Sequence, residues 1–166
     1  MTETTPVADL TELGGKYLTF FLEQEEYGLE ILKVREIIGV MDITPVPRTP
    51  DFICGVINLR GKVIPVVDLR LKFAMQKIEQ TNETCIIVVQ AQELEMGIVV
   101  DRVSEVIDIP TGDIQPPPTF GNKTISIDYI LGIGKTGERI KLLLNIDKVL
   151  SRTEMSNISQ VQEVAA

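Results

Sequence analysis

The chain has 166 residues, and 16 Lys and Arg against 24 Asp and Glu leave a formal charge of −8. Nucleic acid would meet a like-charged protein, and an aromatic content of 5% with no Trp offers little for stacking bases or sugars. The chain contains no His, which removes the commonest general base and the usual transition-metal ligand.

The opening MTETTPVADLTELGG has neither a basic start nor an apolar core, so it does not read as a signal peptide. Residues 1–14 and 152–166 are polar and lack a sustained period, and are expected to be flexible tails. Between them lie short apolar runs: YLTFFL (17–22), YGLEI (27–31), FICGVINL (52–59), VIPVVDL (63–69), CIIVV (85–89), MGIVV (96–100), YILGIG (129–134) and IKLLLNI (140–146). Each is too short for an ordinary helix and rich in Ile, Val, Leu, Phe or Tyr. Turn chemistry bounds them, at EQEE (23–26), Arg60-Gly61, QAQE (90–93) and KTGE (135–138). Strands so joined predict barrels or a sandwich. Helical spacing is confined to Ile31, Val34, Ile37 and Ile38, which fit a two-turn helix over LKVREII, and to a final turn or two over DKVLSR. No run approaches the length that spans a bilayer. Cys54 and Cys85 lie inside FICGVI and TCIIVV and read as buried thiols of a reducing, cytoplasmic compartment.

The chain also repeats itself. Gly28, Val34 and Ile37 match Gly97, Val103 and Val106 at an offset of 69, and Gly55 and Asp68 match Gly132 and Asn145 at an offset of 77. The Pro- and Gly-rich segment IPTGDIQPPPTFGNK absorbs the difference, and the polar QKIEQTNE (76–83) suits a connection between halves. A duplicated small barrel, with about five strands from each half, accounts for both.

Catalytic parts are missing. The carboxylate pairs Glu25 and Glu26, Asp101 and Glu105, and Asp108 and Asp113 stand without a nucleophile and read as surface groups. GIGKTGE lacks the spacing of a phosphate loop and precedes a strand, so it reads as a hairpin turn. Two distant Cys without His cannot assemble a metal site. No catalytic residue, metal or cofactor is expected. What remains is surface for other proteins. Ile31, Val34 and Ile37 would share one helical face beside Lys33 and Glu36, either packing on their own barrel or, with the matching VVDRVSEV element, lining an apolar groove. Arg60, at the tip of a tight turn whose Gly61 supplies positive φ, is either a solvated turn residue or a guanidinium placed to grip a partner's carboxylate.

The segments EEYGLEILKVREIIG, ITPVPRTPDFICGVINLRGKVIPVVDLR and MGIVVDRVSEVIDI closely resemble the CheW family of chemotaxis coupling proteins. The similarity covers about 15–151. GVINLRGKVIPVVDLR is shared with the regulatory domain that ends the chemotaxis histidine kinase CheA, but that kinase's phosphotransfer and ATP-binding domains, or the receiver domain of CheV relatives, do not fit into 166 residues. The resemblance implies a mainly β fold of two five-stranded SH3-like β-barrel lobes with a few short helices, lobe one at about 17–75 and lobe two at about 84–150, and no catalytic activity. It further implies an adaptor that couples the cytoplasmic tips of transmembrane chemoreceptors to the regulatory domain of CheA. Carried over by position, the receptor groove would be lined by Leu18, Ile31, Val34, Ile37, Val99 and Val103, with Glu36 and Arg60 at its rim. The kinase side would use Met41, Gly55 and Ile64, with Phe120 making a second, ring-closing contact. Such a protein is expected to be cytoplasmic, recruited to membrane-associated receptor arrays, without cofactor, nucleic acid or membrane insertion. The competing reading is a small-barrel ligand- or nucleic-acid-binding module, which charge and scarce aromatics disfavour.

Overall fold

A computed structural model of the chain describes residues 14–76, 79–116 and 129–149. Its elements are β1 (Gly15–Leu22), β2 (Glu25–Glu30), β3 (Val34–Gly39), β4 (Ile53–Leu59), β5 (Lys62–Asp68), α1 (Leu69–Lys72), β6 (Cys85–Ala91), β7 (Leu94–Val100), β8 (Arg102–Ile109), β9 (Ile114–Gln115), β10 (Ile130–Thr136) and β11 (Arg139–Leu144). The eight apolar runs all became strands. Four hairpins close through two-residue loops, since Leu22 faces Glu25, Leu59 faces Lys62, Ala91 faces Leu94 and Thr136 faces Arg139. Each loop has a residue at positive φ, namely Glu23, Arg60 and Gly61, Gln92, and Gly137, as the right-handed twist of the flanking strands requires.

The helix expected over 31–38 is not there. A single 3-10 turn at Ile31–Lys33 runs directly into β3. The i, i+3 spacing that suggested a helix comes from that turn followed by a strand whose register against β6 shifts between Val34 and Glu36. Val and Ile, branched at Cβ, suit the strand better. The matching element over VVDRVSEV is likewise a strand, β8, with a bulge opposite Leu18 and Phe20. There the Thr19 hydroxyl donates to the Glu105 carbonyl at 3.0 Å and accepts from the Glu105 amide at 3.2 Å, satisfying the groups the bulge leaves unpaired. The expected turn over DKVLSR begins as a 3-10 turn at Ile146–Lys148, and residues 150–152 lie outside the described residues.

The strands form two sheets, one in the order β8-β1-β2-β11-β10-β9 and one in the order β3-β6-β7-β5-β4. In the first, the edge strands β8 and β9 are joined by one 3-10 turn at Thr111–Asp113, so the sheet curls round on itself. In the second, a bridge between Thr44 and Val56 ties the segment after β3 to β4. Among the described residues each half supplies five strands longer than two residues, but neither sheet comes from one half. The hairpin β1–β2 belongs with β8–β11, and β6–β7 belongs with β3–β5. The two sheets therefore do not coincide with the expected stretches 17–75 and 84–150, since each draws one hairpin from the other half.

Apolar side chains alternate between three cores. Tyr17, Ile109, Ile114 and Leu143 fill the six-stranded barrel. Ile57, Ile64, Val66, Ile86 and Val88 fill the other. Leu18, Phe20, Leu22, Leu29, Val67, Ile87, Val89, Met96, Ile98 and Leu144, among others, join the two. Along β6, Ile86 and Val88 point one way and Ile87 and Val89 the other. A strand buried on both faces reads as a continuous apolar run, which is why CIIVV stood out.

Candidate protein-interaction surface

Arg60 occupies the first loop position between β4 and β5 with φ of 53°, next to Gly61 at 85°. A left-handed backbone at a residue with a long side chain costs about 1 kcal/mol, and the Asn58 side chain helps hold the turn by accepting from the Gly61 amide at 2.8 Å. The turn aims the guanidinium at Glu36 on β3. The contact is two-pronged, with Nη1 donating to Oε2 at 3.2 Å and Nη2 to Oε1. That hydrogen bonding, and secondarily the positive charge, holds the Glu36 carboxyl below the usual carboxylate range. Both groups remain open to solvent, with Arg60 69% exposed. Beside them, Glu95 of β7 takes Lys62 at 2.6 Å and Arg35 at 3.7 Å.

The edge strands also carry uncovered apolar side chains. Ile37 on β3 is 45% exposed and Val106 on β8 is 51% exposed. They occupy matching positions of the repeat on the edge strands of the two sheets. Ile31, Val34 and Val103 are half-buried and pack on the core between the barrels. Val106 is not among the residues the sequence singles out, although its offset of 69 from Ile37 marks it. Leu32 and Ile140 are also strongly exposed, but their repeat-related residues are Asp101 and Val63, so neither belongs to a matched apolar pair of exposed residues.

The remaining sequence-derived residues fall elsewhere. Leu18 is 2% exposed and belongs to the core between the sheets, so it underlies the surface rather than lining it. Val99 packs against the interior of the five-stranded barrel and contributes to a cleft of about 310 Å³ with Ile43, Cys54 and Arg70. Ile64 is 1% exposed in that same interior. Gly55 is buried with φ of 142°, and a Cβ there would lie 2.1 Å from the Thr44 carbonyl oxygen, so a backbone crossing dictates glycine. Met41 is half-buried against the barrel interior. Phe120 lies outside the described residues.

Two surface readings of the acidic groups also need correction. Glu26 is 6% exposed and meets the equally buried Lys141 ammonium at 3.4 Å, while Lys141 also donates to the Thr136 hydroxyl at 2.7 Å. Asp101 is mostly buried and accepts from Arg70 Nε at 2.8 Å and from the Glu23 amide at 2.7 Å. Burial alone would raise the Asp101 pKa, but the Arg70 hydrogen bonds outweigh it and hold the carboxyl below its ordinary value. Cys54 and Cys85 are half-buried thiols; burial pushes the Cys85 thiol upward, away from the reactive thiolate. Among the described residues no cluster of three His, Cys, Asp or Glu could hold a metal ion, and no helix is long and apolar enough to cross a membrane.

The CheW-like domain family matches residues 16–154. The chain is 44% identical over 149 residues to the chemotaxis protein CheW of Klebsiella aerogenes, covering 90% of this chain and 89% of that protein. It is 35% identical over 137 residues to the chemotaxis protein CheW of Helicobacter pylori, covering 82% of each. The scaffolding protein TtCheW from Thermoanaerobacter tengcongensis superposes with a TM-score of 0.78 at 37% identity, over 86% of this chain and 96% of that structure.

Proposed function

Because the chain belongs to the CheW family, whose members are non-enzymatic scaffolds of chemotaxis signalling, we propose that it couples the cytoplasmic tips of transmembrane chemoreceptors to the regulatory domain of the histidine kinase CheA. The receptor tip lies along the edge strands β3 and β8, with Ile37 and Val106 covered by its apolar face and Ile31, Val34 and Val103 beneath. The Glu36–Arg60 pair sits at the rim, where a two-pronged guanidinium can be shared with a receptor carboxylate. Leu18 and Val99 support this surface from below. The kinase domain docks at the end of the five-stranded barrel, on Met41 and on the backbone shape that Gly55 and Ile64 fix, and Phe120 serves a further contact that closes rings. Recruitment to membrane-associated arrays follows from receptor binding.

The observation that carries this reading is the pair of uncovered aliphatic residues at repeat-related positions of two edge strands. Full burial of such a side chain contributes about 1.5–3 kcal/mol, against association costs of about 4–15 kcal/mol. Each contact is thus weak alone, and tight assembly comes from several faces engaged at once. The ligand- or nucleic-acid-binding alternative is not favoured: the charge is −8.

Pull-down with a soluble receptor signalling fragment tests the proposal. Ile37→Asp and Arg60→Ala should each lower receptor capture about tenfold, a difference of about 1.4 kcal/mol in binding, with far-UV circular dichroism unchanged. Capture equal to wild type by both variants would falsify the edge-strand site.

A further inference from the structure

The two halves of this chain are built as partners of one another. Within residues 15–68, β1 pairs with β2 and β4 with β5, but the hairpin β1–β2 forms no ladder with β3, β4 or β5. Its neighbours are β8 and β11, from the second half, and β6 and β7 of the second half insert between β3 and β5. The inter-half ladders are related register for register. Val66 opposite Gly97 and Val67 opposite Ile98 reappear as Leu143 opposite Gly28 and Leu144 opposite Leu29, at the offsets of 77 and 69. The shift between Ile53 and Gly55 likewise reappears between Ile130 and Gly132. Even the end of each unit repeats: the Asp68 side chain accepts from the Leu71 amide, and that of Asn145 from the Asp147 amide. This is the interleaved arrangement of a dimer, joined covalently by the stretch between α1 and β6.

We infer that a second copy of this chain is a partner for which these edges are already complementary. Two copies form an exchanged dimer, in which β1–β5 of each is closed by β6–β11 of the other. All four inter-half ladders are the same in monomer and dimer, so the only difference is the path of the connection. Residues up to Gln76 stay on the first half, where Phe73 packs against Tyr27 and the Gln76 carbonyl accepts from Arg70. The eight residues between Gln76 and Cys85 reach about 27 Å when extended, enough to cross to a neighbouring molecule. At low concentration the covalent link favours self-closure, because it holds the halves at an effective concentration of about 1 mM. Conversion requires opening of all four ladders, so each form, once folded, persists. An exchanged dimer carries every surface of the monomer twice.

The test refolds the full chain from denaturant at about 10 μM and about 1 mM, as an equal mixture of two differently tagged copies. The expected result is monomer at the lower concentration. At the higher, about half the protein should run at twice the mass and keep the monomer's circular dichroism, and about half of that dimer, the fraction pairing unlike tags at random, should be captured by both tags in succession. A cross-link then separates exchange from simple association. Lys16 and Asp108 lie opposite one another on β1 and β8, so Lys16→Cys with Asp108→Cys, in a background of Cys54→Ala and Cys85→Ala, places a disulfide between the halves. Under oxidation it should join the two chains of the dimer and stay within the chain of the monomer. Refolding at 1 mM that yields only monomer, or a dimer whose disulfide stays within each chain, overturns the inference.

Discussion

The two barrels place different chemistry on the same ladder. In the six-stranded barrel, Phe21, Glu26, Arg139 and Lys141 stand at the positions that Gln90, Glu95, Lys62 and Ile64 hold in the five-stranded one. Glu26 is sealed in with Lys141, and Arg102 lies 3.9 Å over the Phe21 ring. Glu95, by contrast, pairs with Lys62 and Arg35 near solvent, and Ile64 keeps the interior apolar. Register, bulges and end caps repeat, while the filling of each barrel does not. The repeated features are backbone matters, fixed by hydrogen bonding and close approach, and the varied ones seal an ion pair inside one barrel and leave one near solvent in the other.

The largest expected effect probes the sealed barrel. Lys141→Met leaves Glu26 buried with only the more distant Arg139, at 3.8 Å, to offset it. It should cost about 3–5 kcal/mol in urea unfolding, whereas Lys141→Met with Glu26→Gln should recover most of that. If the double variant is no more stable than the single, the cost was not an orphaned charge. The glycine pair sharpens the same contrast. A Cβ at Gly55 meets the Thr44 carbonyl oxygen at 2.1 Å on a backbone with φ of 142°, while at Gly132 it meets the Gln115 carbonyl oxygen at 2.8 Å. Gly55→Ala should destabilise by about 3 kcal/mol and Gly132→Ala by about 1 kcal/mol. Equal losses would mean that backbone strain contributes nothing.

Arg70 offers a contrast in pH. Its guanidinium joins Asp101 to Glu23 and to the Gln76 carbonyl, whereas the matching residue of the second unit is Asp147, which takes Lys33 and the Gln92 amide. Asp101 has a folded pKa below its unfolded 3.8. Its contribution is therefore complete above that value and is lost as pH falls through the folded pKa. Arg70→Ala should cost about 2 kcal/mol at pH 7 and flatten the loss of stability below about pH 4. An acid limb identical to wild type would assign it to other carboxylates. Smallest of all, Ile37→Asp should change stability by less than about 0.5 kcal/mol, because only the exposed edge is altered.

These contrasts also show what a sequence makes legible. Runs such as CIIVV and VIPVVDL announced strands because both faces are buried. Arg60-Gly61 announced its turn because few residues accept that backbone. β3 and β8 were misread because a 3-10 turn and a bulge gave strand residues helical spacing, and one misreading was copied by the repeat. The exchange of hairpins between halves could not be read at all, since β1 would suit either sheet in pattern and only the ladders choose. At the surface, the Glu36–Arg60 contact joins two residues that the sequence singles out, and Ile37 is exposed beside Glu36 in the chain. Leu18 and Ile64 were placed outward because apolar residues on alternate faces look alike when both faces are covered. Val106 carries the same signal as Ile37, through the repeat offset of 69.

Methyl-resolved NMR titration of the labelled protein with a receptor signalling fragment tests the edge-strand interface most directly. Docking on β3 and β8 predicts that the methyls of Ile37, Val106 and Val34 shift first and together, with Ile140 silent. Shifts centred on Ile140, with Ile37 and Val106 unmoved at saturation, would contradict it.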